Sequence, residues 1–186
     1  MQNNNPKVIL LLAGEGKRLR PYTIEKPKCM VEINGKSLID SQIKILRSAD
    51  LDNFILIGGY KAEMLKYIDC PLIINSRYAS TNMVWSLFCA EDEMDQEVIV
   101  SYGDIIYSKS VLMKLVNSSA DIAVVIDKDW ESYWKARNEN PLDDAETLRL
   151  RDDGTISEIG RKPVTIEEIQ GQYIGLMKFS VKGLGQ

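Results

Sequence analysis

Apolar positions fall into short, near-continuous runs separated by longer stretches in which they recur at helical spacing. Val8-Ile9-Leu10-Leu11-Leu12 is uninterrupted, the pattern of a strand buried on both faces. Val31-Glu32-Ile33 reads as a short strand and Asn34-Gly35 as a turn. Ser37 is placed to cap a helix whose apolar residues Leu38, Ile39, Ile43 and Leu46 share one face. Further strands are predicted at 54–57, 72–74, 98–100 and 122–126, with helices over 61–68, 82–94 and 108–116. After that the pattern changes. Residues 148–150 and 156–159 flank Asp152-Asp153-Gly154 as an antiparallel hairpin, and 172–180 forms a last strand. The alternation predicts a three-layer α/β fold, mostly parallel, with a late antiparallel hairpin. No repeat or linker interrupts it, so residues 1–186 are read as one domain. Ligands of such sheets bind at the carboxyl ends of the strands. The loops after Leu12, Ile57, Ile74 and Val100 are therefore expected along one edge.

Composition narrows the chemistry. A chain of 186 residues can bury roughly 70% of its surface, and 45% hydrophobic residues exclude a disordered chain. The formal charge of −4 argues against nucleic-acid or anionic-membrane binding, while leaving room for a local basic pocket. There is no histidine. That removes Ser-His-Asp and Cys-His catalysis and HExxH metal sites. An enzyme here needs a nucleophile that requires little activation, or a carboxylate, a lysine or a metal. Cys29, Cys70 and Cys89 form no CxxC and read as reduced thiols. The polar start, Met1 to Lys7, and the shortness of the Val8–Ala13 run fit neither a signal peptide nor a membrane span. The expectation is a soluble cytoplasmic protein.

The first loop, Leu12-Ala13-Gly14-Glu15-Gly16-Lys17-Arg18-Leu19-Arg20-Pro21, carries the candidate chemistry. It lacks the third glycine of a dinucleotide fingerprint and does not match GxxxxGK[ST]. Its glycines still let backbone N–H groups approach phosphate oxygens. Lys17, Arg18 and Arg20 add positive charge, and Pro27-Lys28 places another cation nearby. A basic surface turn is the plain alternative.

The stretch Leu11 to Asp40, LLAGEGKRLRPYTIEKPKCMVEINGKSLID, closely resembles the signature of sugar-phosphate-type nucleotidylyltransferases, roughly LAAGxGxRLxPxTxxxPKxM followed by a KPLI-like segment. Ser101-Tyr102-Gly103-Asp104 resembles that family's strand-end metal aspartate, and Gly160-Arg161-Lys162-Pro163 its late EKP-like segment, with Arg161 in place of the acid. Asn75-Ser76-Arg77-Tyr78 and Thr81 to Leu87 resemble the phosphocholine cytidylyltransferase branch. The block from Asp127-Lys128-Asp129-Trp130 to Thr147 is similar to a subset that activates 2-aminoethylphosphonate or phosphoglutamine with CTP.

This resemblance implies a Rossmann-like nucleotidyltransferase sheet and a Mg²⁺-dependent reaction. A phosphate or phosphonate oxygen of a small acceptor would attack the α-phosphorus of CTP and release pyrophosphate. Arg18 would hold the leaving phosphates and Lys28 would bridge the α-phosphate and acceptor. Asp104 would bind the metal. Leu12, Ala13, Gly14, Glu15, Gly16, Lys17, Gly59, Tyr60, Thr81 and Asn82 would hold the nucleotide. Tyr102, Trp130, Trp134 and Lys162 would contact the acceptor, the tryptophans through cation–π contact with an amine. Packing is the competing role for Tyr60, Met83, Trp85, Tyr102, Trp130 and Trp134. The family's second metal aspartate comes from a C-terminal segment expected to lie outside these 186 residues. A sheet face without its late helices would leave an apolar patch suited to a homodimer. A sugar-1-phosphate nucleotidylyltransferase and a non-catalytic nucleotide-binding module are the alternatives.

Overall fold

The computed structural model describes residues 5–185; Met1–Asn4 of the polar N-terminal stretch and Gln186 lie outside the described residues. Val8, Ile9 and Leu10 have no exposed surface. They lie in β1 (Lys7–Leu11), which pairs along both edges; because successive side chains point to opposite faces, burial of all three means both faces are covered, and the run is apolar throughout. β2 (Glu32–Ile33) and β3 (Lys36–Ser37) form a small hairpin. Asn34 and Gly35 both take the positive φ that a two-residue turn requires, 52° and 73°. In α1 (Leu38–Ser48) the Ser37 hydroxyl accepts the Asp40 N–H at 3.0 Å. Leu38, Ile39, Ile43 and Leu46 are buried as the spacing predicts, together with one polar residue, Gln42.

β4 (Phe54–Gly58), β5 (Leu72–Ile74) and β6 (Val98–Tyr102) follow as strands. Between them the predicted helices shorten. Residues 61–68 form only a 3-10 turn at Ala62–Leu65, entered from Lys61 with φ +48°. The buried residues Ala62, Leu65 and Ile68 recur every three positions, which suits three residues per turn better than 3.6. The helix expected over 82–94 stops as α2 (Met83–Phe88), followed by a separate 3-10 turn at Glu91–Glu93. Continuation would place Glu91, Asp92 and Glu93 at the negative end of the helix dipole. α3 (Lys109–Val116) matches the helix predicted over 108–116, and the Ser108 hydroxyl caps it by accepting Val111 N–H.

The remaining elements are β7 (Ile122–Asp127), α4 (Trp130–Arg137), β8 (Leu148–Leu150), β9 (Ile156–Ile159), β10 (Gln172–Phe179) and α5 (Val181–Leu184). The chain groups into two compact units, one within Met1–Ala123 and Gly175–Gln186, the other Val124–Ile174.

In the first unit the strands run β5-β4-β1-β6-β10. The first three pairings are parallel, and β10 is antiparallel to β6. Ile9, Ile55, Ile57, Ala90, Val98 and Val100 form one core cluster. Lys178 of β10 is buried. Its ammonium donates to the carbonyls of Val116 and Ser118 and pairs with Glu97 at 3.1 Å, so all three protons are used. The mostly parallel α/β architecture matches the sequence reading.

In the second unit β8 and β9 pair as the predicted antiparallel hairpin, in a sheet of their own. Trp130, Ala145 and Ile169 form its core, with Trp134, Leu142 and Ile166 packed around them. Among the described residues no helix is long and apolar enough to cross a membrane.

Candidate functional site

Backbone hydrogen bonds bring four loops of the first unit together at the carboxyl ends of its parallel strands. Leu12 N–H donates to Ile57 O, Tyr60 N–H to Ala13 O, Gly103 N–H to Leu11 O and Asn75 N–H to Gly58 O, at 2.8–3.1 Å. The approach is close enough to exclude side chains at two glycines. A Cβ on Gly59 would lie 2.6 Å from Tyr78 Cβ, and one on Gly103 2.5 Å from Leu12 Cδ2.

These loops enclose a cleft of about 270 Å³. Of the residues proposed from sequence, Leu12, Ala13, Gly14, Lys28, Thr81, Asn82, Tyr102 and Asp104 line it. Gly14 faces open space: a Cβ there would meet nothing within 4 Å. Glu15, Gly16, Lys17, Arg18, Gly59 and Tyr60 are not among the lining residues. Tyr60 donates its hydroxyl to Ile24 O and stacks edge-on against Tyr78, which is a packing role.

Six further lining residues have no binding role in the sequence reading: Leu11, Cys29, Tyr78, Met83, Ser86 and Gly103. Buried Asn75 organises this wall by donating to Thr81 Oγ1 at 3.0 Å and Ser86 Oγ at 2.9 Å while accepting the Arg77 N–H. Asn82 caps α2 with its carbonyl oxygen, which accepts Trp85 N–H. α2 packs on the core through Leu87, but the core packing weighed for Met83 and Trp85 is not observed. Met83, Trp85 and Phe88 are exposed, and Arg77 sits 4.7 Å from the Trp85 ring.

The glycine loop is held on Lys28. Gly16 has φ +64°, and its carbonyl accepts both Leu19 N–H and the Thr23 hydroxyl at 2.8 Å. A Cβ on Gly16 would lie 3.0 Å from Lys28 Cβ and Cγ. Gly16→Ala combines left-handed strain of about 1–2 kcal/mol with displacement of Lys28. It is expected to lower the melting temperature, which thermal unfolding of the variant beside the wild type checks. Glu15 pairs with Lys17 at 3.3 Å and Arg20 at 3.4 Å. Among the described residues Arg18 has no carboxylate partner, so it is the uncommitted cation of the loop.

Lys28, against which Gly16 sits, is ion-paired with Asp104. Beside them the Cys29 thiol is buried, 2% exposed. Burial, reinforced by the Asp104 and Asp40 charges, pushes its pKa up to about 12. At pH 8 a thiolate fraction on the order of 10⁻⁴ follows from that value, so Cys29 should resist iodoacetamide in the native protein. Peptide mass mapping after alkylation checks this; rapid labelling of Cys29 would contradict the burial.

A glycine loop, a lysine and a strand-end aspartate around one cleft, at the edge of a parallel sheet, is an arrangement that comparison with known proteins can place. Residues 8–162 match the model of the MobA-like NTP transferase domain. The chain belongs to this family. It is 43% identical to the CTP:phosphoglutamine cytidylyltransferase of Campylobacter jejuni, over 96% of this chain and 74% of that one. It is 32% identical to the choline-phosphate cytidylyltransferase of Streptococcus pneumoniae, over 61% and 51% respectively. Among solved structures, the inositol-1-phosphate CTP transferase of T. maritima superposes with a TM-score of 0.76 at 20% identity, covering 100% of this chain and 74% of that chain, and so shares the fold. The resemblance to the cytidylyltransferase branch and the assignment as a nucleotidyltransferase are thereby borne out.

The donor set of this nucleotidyltransferase fits a hard divalent cation shared with a ligand. Among the described residues no three acidic, histidine or cysteine side chains cluster as a metal cage. Asp104 offers one carboxylate, and Mg²⁺ commonly takes one or two carboxylates with phosphates and water.

In the second unit the acceptor candidates are placed differently from the expectation. Trp130 is 3% exposed and donates its indole N–H to Ile169 O at 3.2 Å. An aromatic face that builds the core has no surface left for an amine. Trp134 packs edge-on against it, with ring centroids 6.2 Å apart. Arg137 sits 5.5 Å from the Trp134 ring. Lys162 donates to the carbonyls of Leu142 and Asp143 and so ties down the 3-10 turn at Pro141–Asp143. Trp130→Ala should cost about 3–5 kcal/mol, read as a large loss in unfolding free energy. A variant as stable as wild type would return Trp130 to the acceptor role.

Proposed function

We propose that this nucleotidyltransferase moves the cytidylyl group of CTP onto a small phosphorylated or phosphonate acceptor. The observation that carries the reading is the pairing of Lys28 with Asp104 in the cleft that Gly14 leaves open. The Campylobacter relative, matched over nearly the whole chain, supports CTP and a phosphorylated amino-acid-like acceptor.

An acceptor oxygen attacks the α-phosphorus and a new P–O bond forms. The bond from the α-phosphorus to the bridging oxygen breaks, and pyrophosphate leaves with the electron pair. The attacking oxygen is already ionised near neutral pH, so a chain without histidine needs no strong general base. Positioning and charge neutralisation are what remain. In this reading Lys28 holds the α-phosphate and the acceptor anion close together. Arg18 takes the leaving phosphates, with the bidentate geometry a guanidinium allows. Gly14 and Ala13 let the nucleotide approach the backbone, and Thr81 and Asn82 face the base. Asp104 would hold Mg²⁺, which supplies further neutralisation of the phosphates. An acceptor contact from Tyr102, which lines the same cleft, belongs to the same reading.

The test is pyrophosphate release with each of four nucleoside triphosphates against phosphoglutamine, choline phosphate, aminoethylphosphonate and glucose 1-phosphate. CTP-dependent release with one of the first three acceptors is expected. Preference for the sugar phosphate would support a sugar-1-phosphate nucleotidylyltransferase instead. Nucleotide binding without release by any pair would indicate a non-catalytic module.

A further inference from the structure

The apolar face of α1 contains one buried polar side chain. Gln42 is 1% exposed, yet every polar atom of its amide is used. Nε2 donates to Tyr102 O at 2.9 Å and to Ile105 O at 2.8 Å, and Oε1 accepts the Ser101 hydroxyl at 3.1 Å. The two accepting carbonyls bracket Gly103 and Asp104. The front of this turn is held by Gly103 N–H on Leu11 O; its rear is held by Gln42 Nε2 on Ile105 O.

We propose that Gln42 is the positioning residue for Asp104. It clamps the 102–105 turn from behind, so that the carboxylate stands at the cleft edge beside Lys28. The chemistry of the group supports this. The amide offers two N–H donors on one side and an acceptor on the other, matching two carbonyls and a hydroxyl. An apolar side chain of similar volume would fill the space without desolvating an amide. A fully satisfied buried polar group instead fixes one conformation. Glutamate would present only acceptors to two carbonyls when ionised, and methionine none of the donors. The inference rests on the reading of Asp104 as the metal carboxylate. Residues that orient a metal ligand commonly contribute 10–100-fold to metal affinity or activity.

The test uses the full chain as wild type, Gln42→Met, Gln42→Glu and Leu115→Ala, the last a buried residue of α3 that serves as a control for destabilisation. Two readouts are taken. Mn²⁺ binding in the presence of CTP is measured by the EPR signal of free Mn²⁺. Amide hydrogen exchange is followed in peptides covering 102–105. Gln42→Met is expected to weaken Mn²⁺ binding at least tenfold and to speed exchange in the 102–105 segment at least tenfold. Leu115→Ala should change neither, whatever its stability. Gln42→Glu should resemble Gln42→Met if it folds, since both lose the donors. Wild-type exchange at 102–105 in Gln42→Met would overturn the clamp, with or without metal binding. Faster exchange with unchanged Mn²⁺ affinity would overturn its link to the carboxylate. Absence of Mn²⁺ binding by the wild type, with the exchange effect present, would count against the metal role of Asp104 and leave the clamp on the turn standing.

Discussion

Asp104→Asn should reduce pyrophosphate release by on the order of 10³ or more while leaving the ligand-free melting temperature nearly unchanged. Asparagine keeps the shape of the side chain and can still accept from Lys28, but it removes the negative charge. Asp104 stands at the end of β6, held through Gly103 N–H on Leu11 O, and lines the cleft beside Lys28. The two side chains are 29% and 36% exposed, so their pair is partly solvated and contributes roughly 0–1 kcal/mol to stability. Loss of one charge aimed at a reacting phosphate typically costs 10²–10³ in turnover; a lost metal ligand adds to that. The measurement is turnover beside thermal unfolding. A folded Asp104→Asn protein with full activity would show that this carboxylate has no part in transfer.

Arg18→Ala is expected to lower turnover by about 10², whereas Lys17→Ala and Arg20→Ala should stay within a few-fold of wild type. All three cations lie within four residues of sequence. Glu15 distinguishes them, because it engages Lys17 and Arg20 and leaves Arg18 without a carboxylate partner among the described residues. A guanidinium already paired gains less from an incoming phosphate than one that is not. The effect of Arg18→Ala should fall mainly on kcat, since charge accumulates on the leaving pyrophosphate as the bond breaks. Equal losses in all three variants would mean that the loop acts as a diffuse positive field and that Arg18 has no special place in it.

Much of this architecture is legible in local pattern. The uninterrupted apolar run at Val8–Leu12 states that β1 is covered on both faces. The positive-φ pair Asn34-Gly35 and the Ser37 and Ser108 caps mark turns and helix starts through interactions a few residues long. Shorter helices were harder to read. The three-residue spacing of Ala62, Leu65 and Ile68 and the acidic run Glu91-Asp92-Glu93 each limit a helix, by effects weaker than the apolar periodicity that suggests one.

Local sequence suffices for the succession of strands and helices, for the glycine loop with Lys28 and Asp104, and for the family to which these residues belong. Tertiary structure decided which residues share a space. Trp130 and Trp134 lie four apart with acidic neighbours and read equally well as a binding face or a packed one; burial against Ala145 and Ile169 makes Trp130 core. Tyr78 and Ser86 reach the cleft only because Gly59 admits the Tyr78 loop and Asn75 joins Thr81 to Ser86. Gln42 reads in sequence as one polar residue on a helix, yet it spans 60 positions to hold the turn of Asp104. Such roles depend on hydrogen bonds and close contacts between distant segments, and local sequence carries no period or spacing that records them.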